Sequence, residues 1–61
     1  MSFTHGEMAL ELQKLIYSKR TWIRTFAGKR PAHEVNIRKR ELAVLEQAHA
    51  DYERAARKRA A

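Results

Sequence analysis

Sixty-one residues with thirteen Lys plus Arg, seven Asp plus Glu and no cysteine describe one small basic domain with a formal net charge of +6. A chain this short leaves much apolar surface wet after folding, and without cysteine no disulfide can compensate, so a partner subunit is the expected way to complete the core. At 44% hydrophobic residues the chain is too apolar for a disordered polyelectrolyte, and one proline with two glycines favours long helices over a turn-rich β fold.

The first predicted helix has a readable start. Thr4 is followed three residues later by Glu7, the capping-box spacing, and Phe3 stands where it would staple against Met8. Met8, Leu12, Leu15, Lys19, Trp22 and Phe26 then recur at alternating steps of four and three, with Ile16 and Ile23 beside them, which marks one apolar stripe. Lys19 is the single polar member, its stem expected along the seam and its ammonium in water. Trp22 is expected in the core rather than as a stacking platform.

Gly28 occupies the position of a left-handed C-terminal cap, and Pro31 suits the first turn of a following helix. The second predicted helix carries Val35, Leu42, Leu45, Tyr52 and Ala56 at the same spacing, interrupted by Arg38 and His49. The expected elements are a helix over about 5–27, a turn over about 28–31, a helix over about 32–57 and a frayed C-terminus. Helices of about 35 to 39 Å joined by so short a turn require an antiparallel hairpin, so the fold class is all-α. Both helices also carry apolar residues off the seam: Leu10 and Tyr17 on the first, Ile37, Val44, Ala48 and Ala55 on the second. Homodimerisation into a four-helix bundle through Leu10, Tyr17, Ile37, Val44 and Ala48 would cover them, as would docking on a different protein.

The charge is concentrated. From Lys19 to Arg40 there are eight basic residues against Glu34 alone, a local excess of +7 that a hairpin gathers at its turn end. Such a pole suits nucleic acid, which it would hold by releasing condensed counterions, with Trp22 and His33 placed to stack on bases. The candidate contacts are Arg20, Arg24, Lys29, Arg30, Arg38, Lys39 and Arg40. A solvated pole that gives solubility and an acidic surface on a partner protein are the competing readings. Arg20, Arg24, Lys29 and Arg30 are also accounted for by the dipole at the end of the first helix. Arg38, Lys39 and Arg40, near the positive end of the second, are not.

Enzyme motifs are missing. His5, His33 and His49 share no i, i+4 pair and there is no cysteine, so no metal site and no cofactor are expected. Glu46 and Glu53 flank His49 and would hold it protonated. There is no phosphate-binding glycine loop, nucleophile elbow or carboxylate pair in a pocket, and two helices offer little concavity, so the chain is read as non-enzymatic. No basic segment precedes an apolar run at the N-terminus and no run approaches the roughly 20 residues of a membrane span, so a cytoplasmic protein without membrane contact is expected. Trp22, Ile23 and Phe26 among basic residues do resemble an interfacial helix, yet the second helix offers them a cheaper burial.

The segment Glu11 to Glu46, with Glu11-Leu12, a basic helix containing Tyr17, the turn Gly28-Lys29 and Ala43-Val44-Leu45-Glu46, resembles small uncharacterised helical-hairpin proteins of phage and prophage genes. That resemblance implies an accessory protein without catalysis and a bacterial or viral setting. The leading expectation is a self-associating hairpin whose basic turn end contacts nucleic acid. The alternative is a structural or interaction subunit docking through its second apolar face.

Overall fold

The computed structural model describes residues 2 to 60, without the side chains of residues 59 and 60. Two helices, α1 (His5–Phe26) and α2 (Ala32–Ala60), pack against each other as a rod of 45 × 19 × 16 Å. Chain numbers rise along α1 as they fall along α2: His5 lies against Tyr52 with ring centroids 5.9 Å apart, Lys19 bonds Glu41, and Arg38 sits over Trp22. The hairpin is therefore antiparallel. Helix α2 runs through the segment expected to fray, while the Arg59 side chain and Ala61 lie outside the described residues. Among the described residues no helix is long and apolar enough to cross a membrane.

The start of α1 follows from its capping box. Glu7 N–H donates to Thr4 Oγ1 and Thr4 N–H donates to Glu7 Oε1, both at 3.1 Å, so two backbone donors are satisfied reciprocally. These bonds lower the Glu7 pKa below its ordinary value, the Thr4 backbone bond contributing most. Replacing Thr4 by Ala is expected to cost about 1 kcal/mol, read as a lower midpoint in urea at unchanged slope. Phe3 remains 54% exposed.

The turn differs from the sequence expectation. No described residue has positive φ, Gly28 included, so the left-handed cap is absent. Instead α1 continues in right-handed geometry through Ala27, and the Phe26 carbonyl accepts from both Lys29 N–H (2.9 Å) and Arg30 N–H (3.0 Å). The carbonyls at the helix end are thus satisfied by a tightened last turn that needs no glycine. A Cβ at Gly28 would meet nothing within 4 Å. Gly28→Ala should therefore stabilise the hairpin by about 0.4–1 kcal/mol, by restricting the unfolded chain, with a matching rise in Tm. Pro31 heads α2, its carbonyl accepting from Glu34 N–H and Val35 N–H at 3.1 and 3.3 Å.

The buried seam is rotated from the expected stripe by part of a turn. Among the described residues Ala9, Ile16 and Val35 are the buried apolar ones, Ile16 at 7% exposure, while Leu15 is 55% exposed. On α1 the half-buried and buried positions are His5, Met8, Ala9, Leu12, Ile16, Lys19, Trp22, Ile23 and Phe26, so the seam centres on Ile16 and Ile23 rather than on Leu15. On α2 Val35, Leu42, Leu45, Tyr52 and Ala56 all lie on the inward side, together with His49. Three buried residues are few. The accessible surface is 5079 Å² for a 7.2 kDa chain, where a globular monomer of that mass exposes about 4,100 Å².

Candidate nucleic-acid interface

Two ion pairs clasp the hairpin across its seam. Lys19 Nζ bonds Glu41 Oε1 at 3.0 Å, and Arg20 Nη2 bonds Glu46 Oε2 at 2.6 Å. Consecutive residues on a helix diverge by about 100°, so Lys19 and Arg20 reach around opposite sides of the seam. Lys19 keeps its stem inward as expected, but its ammonium is anchored on Glu41 and its side chain is only 22% exposed.

Glu41 also accepts from Arg38 Nη1 at 3.2 Å, which makes a three-membered cluster. The Lys19 hydrogen bond, then the Arg38 bond, holds the Glu41 carboxyl below its ordinary pKa of 4.5. A carboxylate with a depressed native pKa contributes stability above its unfolded value and loses it as pH falls through the native one. Acidification from near neutral to below pH 4.5 is accordingly expected to lower Tm, and Glu41→Gln should flatten that decline, as a melting series across pH would record.

This cluster redraws the basic pole. Glu41 and Glu46 follow Arg40 in sequence, yet they fold back onto Lys19, Arg20 and Arg38, so the excess at the turn end falls from +7 to +5. Arg38, singled out in the sequence for lack of a helix-dipole partner, has an internal one: its guanidinium bonds Glu41 and lies 5.1 Å from the Trp22 ring centroid. Trp22 is half-buried, packed on Phe26 with centroids 5.1 Å apart and covered by Arg38. Arg30 stands 5.7 Å over the Phe26 ring. His33 is exposed.

Of the seven candidate contacts, Arg20 and Arg38 are engaged by carboxylates, and Arg24, Lys29, Arg30, Lys39 and Arg40 are exposed without an ion pair among the described residues. Arg24 lies four residues beyond Arg20, and Lys39 seven before Glu46, so both share the face that the Arg20–Glu46 pair closes. Lys29 and Arg30 lie in the turn itself.

The opposite face is apolar. Tyr17 and Leu15 diverge to either side of Ile16; Trp22, seven residues beyond Leu15, shares its side and lines a hollow with Arg30, Glu34, Ile37 and Arg38. Ile37 and Val44, 55% and 63% exposed, continue that face along α2, with Ala48 beside Val44. Leu10 and Tyr17 instead line a separate hollow with Gln13, Lys14 and Ser18 on the far side of α1. The five apolar residues grouped in the sequence reading thus divide between two faces, and Leu15 and Trp22 belong with Ile37, Val44 and Ala48. Their signal was present as the seven-residue spacing of Met8, Leu15 and Trp22.

His49 Nε2 faces Glu53 Oε2 at 3.5 Å, while Glu46 is turned to Arg20. Glu53 also accepts from Arg57. Among the described residues no three His, Asp or Glu side chains form a metal-binding group.

No family model, curated protein or solved structure matches the chain.

Proposed function

We propose that this chain is a small non-enzymatic, cytoplasmic binding protein that self-associates and holds nucleic acid by its phosphate backbone at the turn end. The observation that carries this reading is the group Arg24, Lys29, Arg30 and Lys39, four exposed cations at the turn end that have no carboxylate partner among the described residues. Pro31 heads α2 at the same end, so the positive pole of the α2 dipole adds to the side-chain charge. With Trp22 covered by Arg38, the contact is to phosphates and independent of sequence.

Self-association is supported by the surplus surface. The hairpin exposes roughly 900 to 1,000 Å² more than a globular monomer of its mass, close to the 800 Å² or so that each partner buries in a standard interface. Arg24 and Lys39 stand on the face opposite Ile37 and Val44, while Arg30 borders the hollow that Trp22 and Ile37 line.

Titration against short duplex DNA and RNA at roughly 50 and 200 mM salt tests the reading. Four phosphate contacts imply that affinity falls roughly 100-fold over that interval. Absence of binding at the lower salt, or binding indifferent to salt, would overturn it.

A further inference from the structure

The apolar face runs the length of the hairpin, and a second copy laid on it has two symmetric orientations. With the turn ends together, each α2 lies over the partner's α1. With the turn ends apart, α2 lies antiparallel on the partner's α2. Charge and side-chain size on α2 separate the two.

Contacts within the hairpin supply the levels: Lys19 with Glu41 and Trp22 with Arg38 put Arg40 of α2 level with Arg20 of α1. In the first orientation the two turn ends, with an excess of +5 each, would therefore be pressed together at the same level. Like charges set opposite one another at an interface disfavour that pairing.

In the second orientation, centred between Val44 and Ala48, Lys39 and Arg40 of one copy come level with Asp51 to Glu53 of the other. Arg40 and Asp51 border the same hollow, with Ala43, Val44, Gln47 and Ala48 between them. Turning a second copy end over end sets its Asp51 beside Arg40, and its Arg40 beside Asp51. Arg40 is free of ion pairs among the described residues, and Asp51 is held only within its own helix, by Gln47 at 3.3 Å and Arg54 at 3.9 Å. Side-chain sizes agree. Ile37 and Val44, large and exposed toward the turn, come level with Ala55 and Ala48, the small residues of the same row toward the open end.

Resting on the self-association proposed above, we infer that the partner of this face is a second copy of the chain, in an antiparallel dimer that pairs Arg40 with Asp51 across α2 and places the two basic ends at opposite poles. The dimer is a four-helix bundle with a nucleic-acid contact at each end. Arg40 belongs to the seam between copies rather than to the phosphate-binding group.

The chain lacks cysteine and Gly28 has open space around its Cα, so Gly28→Cys accepts a spin label without disturbing the turn. Light scattering on the full chain should give the mass of two copies. Double electron resonance on the labelled dimer should give a separation of roughly 45–50 Å, from about sixteen residues of α2 on each side of the centre at 1.5 Å rise per residue. Arg40→Asp should raise the dimer dissociation constant at least about tenfold, and adding Asp51→Arg to the same chain should recover most of that loss. A dimer with label separations below about 25 Å, or one in which the double charge reversal fails to restore affinity, overturns the antiparallel pairing while leaving self-association standing. A monomer at high micromolar concentration overturns both and assigns the apolar face to a different protein.

Discussion

Ile16→Ala is expected to unfold the isolated hairpin. Ile16 is 7% exposed and, with Ala9 and Val35, one of three buried apolar residues among those described, so its removal strips the centre of α1 of its main inward contact. Truncating a buried isoleucine costs about 2–5 kcal/mol. Single domains are stable by only about 5–15 kcal/mol, with so small a core at the lower end of that range or below it. Leu15→Ala, one residue away, removes a side chain that is 55% exposed and should cost under about 1 kcal/mol at concentrations where the chain is dilute. Urea unfolding followed by circular dichroism distinguishes the two. Equal losses at both positions would mean that the seam is centred between them, as the sequence periodicity suggests, rather than on Ile16.

Replacing Arg24, Lys29 and Lys39 together by Gln should remove most nucleic-acid binding while leaving the fold intact. All three are exposed and make no ion pair among the described residues, so their loss breaks no internal contact. Each phosphate contact contributes about 0.9 to the salt slope on duplex DNA, and the triple variant should lose roughly 2.7 of that slope and about 100-fold in affinity at low salt. The matched control is Arg20→Gln with Arg38→Gln. These cations already hold Glu46 and Glu41, so their removal should lower the melting temperature more than it lowers affinity. Affinity measured by anisotropy and stability measured by melting separate the two roles.

The all-helical hairpin was legible because its signals are local. Thr4 and Glu7 lie three residues apart and bond each other whatever the tertiary fold, and Pro31 punctuates the chain in any context. The α2 stripe was legible as well, because Val35, Leu42, Leu45 and Tyr52 have few apolar competitors on neighbouring faces. On α1 the apolar arc is wide. Leu15-Ile16 and Trp22-Ile23 are adjacent pairs either of which fits the spacing, and only the partner helix decides which member points inward. Gly28 misled for a related reason: glycine permits a left-handed cap without requiring one, and a right-handed last turn satisfies the same carbonyls.

The charge map was less legible, because ion pairs across a hairpin join residues 22 and 26 positions apart. A count along the chain separated Arg40 from Glu41 and so assigned Lys19, Arg20 and Arg38 to a pole whose neutralising carboxylates lay in the next segment. Folding the two helices together is what reveals that, among the described residues of the turn end, the cations without an ion pair are Arg24, Lys29, Arg30, Lys39 and Arg40. It also reveals that Leu10 and Tyr17 look away from Ile37 and Val44, a separation that residue spacing within either helix does not contain.

The most direct measurement of the turn end as a phosphate-binding surface is an amide chemical-shift titration of the isotope-labelled chain with a short duplex at low salt. Backbone signals from Arg24 to Lys39 should move and broaden together, strongest at Arg24, Lys29, Arg30 and Lys39, and return on raising the salt. Signals from the middle of the rod, Leu10 to Lys14 and Leu45 to Ala48, should stay in place. Shifts centred on the middle of the rod, or a spectrum unchanged by excess nucleic acid at low salt, would contradict it.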